Sequence, residues 1–413
     1  METYQSEGLS KILHYSRNFV PYWQGILKER GPANLKRDKM SVVENLPVIR
    51  KRTITKNFSC MVSGKNVPVF KMATTGSTAE PLHFYVDQDF FIRRAFALHY
   101  ALKYYKQDIN SKIIRLSYKD FPWADFQGRY FDPSWLMIYG CYEIEKLISE
   151  YKARVLYGTV SHVLALAEFS EKNFLDFKFD LVITRSEHLT PSLRKYFESI
   201  FGARVYNIYA SREFGPIAQE CIFQNGFHVN EDMIFLEIVD DSGRQVQDGA
   251  VGNILITSFY NRSMPFIRYL IGDRGMFISK ECSCGLKTRK IVLEGRTCDF
   301  IYLANGRRFP VSDLFKPLSI KGVRAFQLVQ PRINELIAKI AVNPSFSHYD
   351  KNVIETKIKR GVFEAMNLGG ESVFWFKVEM VSDIPLLPNG KRKILISNLN
   401  YPLSEYGYDG IFV

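Results

Sequence analysis

At 413 residues the chain is longer than one compact core organises, which predicts a large domain joined to a smaller one. Its composition, 46% hydrophobic and 24% charged, is that of a folded globular protein and excludes disordered and collagen-like classes. A formal charge of +12 favours anionic partners, whether nucleotide, CoA, nucleic acid or an acidic membrane face, without choosing among them.

From Met1 to Tyr22, charged residues alternate with apolar ones at helical spacing, and the apolar core of a signal peptide is missing. No run approaches the ~18–20 apolar residues of a membrane span, so the expected location is the cytoplasm. Residues 8–29 predict an amphipathic helix broken near Pro21, and residues 89–107 a stronger one. Further helices are expected over 143–152 and 160–170. Short β-rich runs lie between them at Ile113–Leu116, Arg154–Tyr157, Leu181–Thr184 and Arg204–Tyr209, an alternation that predicts an α/β layer architecture. From Asp232 to Thr257 the pattern becomes strand–turn–strand about Asp240-Asp241-Ser242-Gly243.

The pattern predicts a boundary near residue 300, separating residues 1–299 from 300–413. Beyond it, Ala325–Gln330 and Glu335–Val342 read as strands. A helix over 350–366 follows, with Val353, Ile354, Ile358, Val362 and Met366 on one face, and then a strand over Ser372–Val381. The expected small domain is therefore a β-β-α-β unit. The basic clusters Lys28–Arg37 and Arg50–Lys56 read as solvated faces. They lack the interleaved aromatics of a single-strand binding groove, so nucleic-acid binding is the weaker reading.

Thr74-Thr75-Gly76-Ser77-Thr78 packs hydroxyls around a glycine, a loop chemistry able to wrap phosphate oxygens. No Gly-Lys-Ser/Thr follows, so it is not a Walker loop, and alone it fits a plain surface loop as well. Downstream, Asn207-Ile208-Tyr209-Ala210-Ser211-Arg212-Glu213 offers an aromatic face for a purine and a carboxylate for Mg²⁺. Asp273 follows a glycine in Arg268-Tyr269-Leu270-Ile271-Gly272-Asp273, suited to two ribose hydroxyls. Arg296 lies just before the predicted boundary, and Lys391 ends the turn Pro388-Asn389-Gly390. Singly, each has an ordinary structural alternative, but their order along the chain is what carries weight.

In that order, the set resembles the adenylate-forming superfamily of acyl-CoA synthetases and adenylation domains. The likeness is to the phenylacetate–CoA ligase branch, including capsule-locus adenylating proteins, from about Leu46-Pro47 to about Arg392. Tyr157-Gly158-Thr159-Val160-Ser161 and Ser186-Glu187-His188-Leu189-Thr190 match further landmarks of the family. The resemblance implies a large N-terminal α/β domain with a small C-terminal α+β lid, hinged at or just after Arg296–Asp299. It implies that Thr74 to Thr78 cradle phosphates and that Ser186 and Glu187 border the adenine and acyl sites. Tyr209 would stack on adenine beside Ala210 and Ser211, Glu213 would hold Mg²⁺, Asp273 the ribose and Arg296 the ribose–phosphate region. Lys391 would bridge the carboxylate and the α-phosphate. The implied substrates are ATP, a small carboxylic acid and CoA. Acid-pocket residues are expected near Tyr139–Cys141, Ser186–Glu187 and Ile208–Pro216. The sequence departs from the family at Ala79-Glu80, where many relatives have Gly-Lys, and at Ala210 and Leu386-Leu387.

Two other readings stand beside acyl-CoA ligation. One keeps the adenylation chemistry but transfers the acyl group to an amine, hydroxyl or carrier-protein thiol, as in surface-glycan assembly. The other is a nucleotide-binding regulator without turnover, which retention of Glu213, Asp273, Arg296 and Lys391 argues against.

Six cysteines in a chain of this length make no disulfide framework. Cys60, Cys141 and Cys298 read as small buried apolar side chains. Cys221, His228, Cys282 and Cys284 form a four-ligand N/S set suited to closed, structural Zn²⁺, the alternative being a buried histidine with three free thiols. Similar Cys…His…Cys-x-Cys sets in compact phenylacetate-type ligases favour zinc.

Overall fold

The computed structural model describes residues 2–29, 39–65, 70–74, 81–116, 128–131, 140–296, 300–304, 307–320, 322–342, 347–366, 374–385, 392–397 and 399. Two N-terminal helices, Glu2–Phe19 and Pro21–Glu29, meet at Val20, so the expected break falls one residue before Pro21. Strands β1 (Phe70–Ala73) and β2 (His83–Val86) pair antiparallel.

Among the described residues eleven strands form one sheet, and it changes character halfway. Strands β3 (Ile113–Leu116), β4 (Gly128–Phe131), β5 (Val155–Thr159), β6 (Leu181–Arg185) and β7 (Arg204–Ser211) are parallel, in the spatial order β4-β3-β5-β6-β7. Their near-continuous apolar runs are those of strands covered on both faces. One face carries Ile114, Leu156, Val182 and Val205 against the helices Val160–Lys172 and Pro191–Phe201. The other carries Ile113, Val155, Leu181, Ile183, Tyr206 and Ile208 against Leu98, Ala101 and Leu102 of the helix Gln88–Tyr104. Asp87, Thr159 and Thr190 cap three helix starts by accepting from the backbone N–H of Phe90, His162 and Leu193.

Strands β8 (Gly215–Glu220), β9 (Phe227–Val229), β10 (Ile234–Val239), β11 (Gly252–Ser258), β12 (Tyr269–Ile278) and β13 (Lys290–Arg296) continue the sheet antiparallel, in the order β7-β8-β9-β13-β12-β11-β10. This half is pinned by Arg268, which is 3% exposed and paired with the fully buried Glu237. Arg268 also donates to the carbonyls of Glu44, Leu46 and Gly243, so its buried charge is met by a carboxylate and three further oxygens.

After a hairpin of β14 (Phe300–Tyr302) and β15 (Arg308–Pro310), the C-terminal part has its own sheet. Its strands are β16 (Val323–Gln330), β17 (Glu335–Val342), β18 (Trp375–Val381) and β19 (Leu395–Ser397), in the order β18-β17-β16-β19. The helix His348–Met366 buries Ile354, Ile358, Val362 and Met366 with Leu328, Leu336 and Ile340 in a separate core. Val353 is only half-buried, at the edge of the predicted apolar face. The β-β-α-β order expected from the sequence is present, with β19 added parallel to β16. Cys60 departs from expectation: it is exposed, because the short helix Phe58–Met61 turns Met61 inward instead. Cys141 and Cys298 lie outside the residues whose side chains are described. No described helix is long and apolar enough to cross a membrane.

Candidate active site and a Cys/His cluster

The tight hairpin joining β7 to β8 carries Tyr209-Ala210-Ser211-Arg212-Glu213, closed by the pairing Ser211↔Gly215 and by the Ser211 hydroxyl accepting from the Phe214 N–H. Tyr209 is 9% exposed and Glu213 8%, so the phenol and the carboxylate sit in the protein body rather than on a surface turn. The Tyr209 hydroxyl donates to Asp273 Oδ2 at 2.6 Å. Asp273 lies on β12, and its cross-strand partner on β13 is Arg296. Three positions picked from distant parts of the sequence thus meet at one place in the sheet.

Two other predicted segments reach the same place. Arg212 donates to the carbonyl of Ala73, which sets Ala73 and Thr74, where the hydroxyl-rich segment begins, beside the Glu213 turn. Thr74 and Leu82 bond to each other, Thr74 N–H to the Leu82 carbonyl and Leu82 N–H to the Thr74 hydroxyl, both 2.9 Å. At the end of β6, Ser186 takes φ 62°, and its N–H faces the Ile208 carbonyl. That left-handed residue redirects the chain. Glu187 then accepts from Ser161 N–H at 2.7 Å and Ser161 Oγ at 3.1 Å, at the start of the helix Val160–Lys172. Asn207 donates to the Glu187 carbonyl and fixes the segment against β7.

Thr75, Gly76, Ser77, Thr78, Tyr139 and Lys391 lie outside the described residues, as does most of the expected hinge. Their neighbours are visible. Arg392 and Asp383, on either side of the predicted lysine turn, form an ion pair at 3.3 Å. Arg324 of β16 lies 3.6 Å from Asp383 and also pairs with Glu168 of the helix Val160–Lys172. This chain of charges joins the C-terminal sheet to the large sheet's helical layer. Nothing in the sequence marks Glu168 or Arg324, because an ion pair between residues 156 apart has no local signature.

Cys221, His228, Cys282 and Cys284 converge, their ligand atoms all within 4.8 Å of one another. Cys221 follows β8, His228 lies in β9, and the two remaining cysteines occupy the turn between β12 and β13. Cys284 Sγ is 3.1 Å from His228 Nε2, while His228 Nδ1 is 3.2 Å from the Thr288 carbonyl. That second contact would hold Nδ1 as the protonated nitrogen and leave Nε2 free to ligate. The Cys221 and Cys282 sulfurs are 3.4 Å apart, too far for a disulfide.

The fold built around this site is that of the adenylate-forming CoA ligases. The structure of 2-hydroxyisobutyryl-CoA ligase in the postadenylation state, in complex with R3-HIB-AMP, matches with TM-score 0.78 at 18% identity, over 95% of this chain and 89% of that one. The same ligase in the thioesterification state, with 2-HIB-AMP and CoA, matches with TM-score 0.57 at 18% identity, over 95% and 88%. By sequence, the chain is 23% identical to protein CapK of Staphylococcus aureus, over 96% of this chain and 89% of that protein. It is 28% identical to the phenylacetate-coenzyme A ligase of Thermus thermophilus over 51% of each chain, so that match spans about half of the ligase. The family model of the CapK C-terminal domain matches residues 307–398. These matches give the chain the fold of the adenylate-forming enzymes and a sequence similar to the phenylacetate–CoA ligase branch, with residues 307–398 matching the CapK C-terminal domain.

Proposed function

We propose that the protein activates a carboxylic acid with ATP as an acyl-AMP and transfers the acyl group to CoA. The observation that carries this reading is the meeting of Tyr209, Asp273 and Arg296, with the Thr74 segment tied to the Glu213 turn through Arg212. Asp273 takes the ribose hydroxyls, Tyr209 presents its ring to adenine, and Arg296 serves the ribose–phosphate region. Ser186, Glu187, Ala210 and Ser211 line the nucleotide and acyl sides, and Thr74 to Thr78 take the terminal phosphates. Mg²⁺ at Glu213 would offset phosphate charge as the acid's carboxylate attacks the α-phosphorus and pyrophosphate departs. The protein's own contribution is mostly position: it holds two mutually repelling anions in line.

Residues 300–413 act as a lid in this reading, carrying Lys391 to the carboxylate for adenylation and away again for thioester formation. The higher similarity to the postadenylation state than to the thioesterification state of the same ligase supports a lid arranged for the first step. ATP and CoA are cytoplasmic substrates, and we place the protein there. The Cys221, His228, Cys282, Cys284 set suits a structural Zn²⁺, with thiolate and imidazole donors and a backbone carbonyl orienting the histidine.

The CapK-type match over 307–398 favours a second reading, with the same adenylation and transfer to an amine, hydroxyl or carrier-protein thiol. ATP–pyrophosphate exchange over a panel of carboxylic acids tests the shared step. Exchange that depends on one class of acid is expected, and no exchange with any acid would overturn both readings. Thioester formation with CoA then separates the two.

A further inference from the structure

The parallel half of the large sheet carries two cations that the nucleotide chemistry does not use. Arg115 is the third residue of β3 and Arg185 the last of β6, and β5 runs between these strands. Arg115 is in register with Tyr157 of β5, and Tyr157 with Ile183, two residues before Arg185. Side chains at registered positions share a face, so Arg115, Tyr157 and Arg185 all project on the side of the helix Gln88–Tyr104. The Arg115 guanidinium carbon lies 5.8 Å from the Tyr157 ring centre and that of Arg185 5.3 Å, both at cation–π distance.

Among the described residues neither cation is neutralised. The Nε of each is buried without a hydrogen-bond partner, and no described carboxylate pairs with either. Arg185 makes one long bond, 3.4 Å, to the Ser186 hydroxyl. The nearest acid in sequence, Glu187, is turned away by the left-handed Ser186 and spends its carboxylate on Ser161. Two guanidinium groups flanking one aromatic ring repel each other, and the ring quadrupole offsets only part of that cost. An anion held at the edge of the ring, within reach of both, would offset it, and guanidinium forks suit carboxylate, sulfate or phosphate oxygens.

Their position says which anion. They stand at the carboxyl ends of parallel strands, where open α/β sheets bind ligands. Arg185 is in register with Ile208, so the pair shares its face with Ile208 and Ala210, in the Ile208–Pro216 segment where the acid pocket is expected. Tyr209 itself points to the opposite face, toward Asp273.

We propose that Arg115 and Arg185, on either side of Tyr157, form an anion subsite of the acyl pocket, so that the acid substrate carries a second anionic group besides the carboxylate it activates. Dicarboxylic acids and carboxylic acids bearing sulfate or phosphate are the matching class. This rests on the adenylation reading, and the same chemistry would also suit a phosphate of ATP, so the test separates the sources.

Thermal-shift titration with matched acids, differing only in a second anionic group, is run with and without ATP on the wild type and on Arg115→Gln, Arg185→Gln and Arg185→Lys. A dianionic acid is expected to bind the wild type and to lose about ten- to hundredfold in affinity in either Gln variant, the loss of one charge-assisted contact. The uncharged partner acid and ATP should change less than about twofold, a tenfold contrast being about 1.4 kcal/mol. Arg185→Lys, which keeps the charge and the packing stem, should retain most of the affinity and serves if a Gln variant fails to fold. Equal binding of both acids by the wild type overturns the proposal, as does failure of every dianionic acid to bind. Weakened ATP binding in the Gln variants would assign the cations to nucleotide phosphate and equally overturn it. Because binding is read without turnover, absence of pyrophosphate exchange alone would count against the adenylation reading and not against the subsite.

Discussion

Tyr209 and Asp273, 64 residues apart, share a 2.6 Å hydrogen bond from phenol to carboxylate across the sheet. In the proposed reading, the tyrosine orients the carboxylate before any ribose arrives. Asp273→Ala is expected to weaken ATP binding by roughly 1.5–3 kcal/mol, and Tyr209→Phe, which keeps the ring, by about 1 kcal/mol. Calorimetry on both variants and the double variant checks this. Since the bond couples them, the double variant should bind little more weakly than Asp273→Ala alone. Fully additive losses would mean the phenol acts independently of the carboxylate.

In the proposed reading, Lys391 separates the two half-reactions. Lys391→Ala should lose at least ~100-fold in ATP-dependent acyl-AMP formation, the scale for removing a preorganised charge at a transition state. Supplied with presynthesised acyl-AMP and CoA, the same variant should transfer at a rate near wild type. Equal losses in both steps would make the lysine a general binding group.

The ion pair between Arg324 and Glu168 would bear on the proposed lid motion from a distance. Both side chains are partly exposed, so the pair is worth about 1 kcal/mol or less. Arg324→Gln should therefore slow acyl-AMP formation only a few-fold, roughly fivefold at most, with ATP affinity unchanged. Stopped-flow pyrophosphate release reads that rate. A loss in ATP affinity instead would place the pair's influence on the large sheet rather than on the lid.

Stability should depend far more on Arg268. Arg268→Met strands the buried Glu237 carboxylate and three carbonyls, and should cost roughly 3–5 kcal/mol by denaturant unfolding. Adding Glu237→Leu removes the stranded charge and should return part of the loss, but not the carbonyl contacts. A cost below about 1 kcal/mol for Arg268→Met would show that this half of the sheet relaxes around the site.

Much of this architecture was legible in advance, for identifiable reasons. The parallel strands announce themselves as short apolar runs between amphipathic helices. The helix His348–Met366 shows its buried face as Ile354, Ile358, Val362 and Met366. Strands β9 and β19, three residues each, are too short to carry a period. For the candidate site, Tyr209, Asp273 and Arg296 were singled out by motif order along the chain, and the fold brings those positions together. Arg115 beside Tyr157, the contact of Arg324 with Glu168, and the buried role of Arg268 were not, because register and burial arise only when distant strands pair.

The cysteine–histidine cluster should prove to be a metal site. Purified without chelator, the protein is expected to hold close to one zinc per chain, and Cys284→Ser to lower metal content and melting temperature together. Elemental analysis showing no zinc would leave four unligated side chains and end the proposal.

The cluster's place in the sheet carries a further consequence. A metal held there would clamp the β8–β9 hairpin to the β12–β13 hairpin, where Lys290↔His228 and Ile291↔Phe227 are the described register pairs. Tyr209, paired to β8, and Asp273, on β12, stand on opposite sides of that narrow seam. A cation bound there and ATP bound as proposed would therefore stabilise the same alignment of strands. Thermodynamic reciprocity then binds the two equilibria: whatever factor the metal contributes to nucleotide affinity, the nucleotide returns to metal affinity. Zinc should be held more tightly at equilibrium against a chelator when ATP is present, so a site with no part in the chemistry would still report whether the nucleotide is bound.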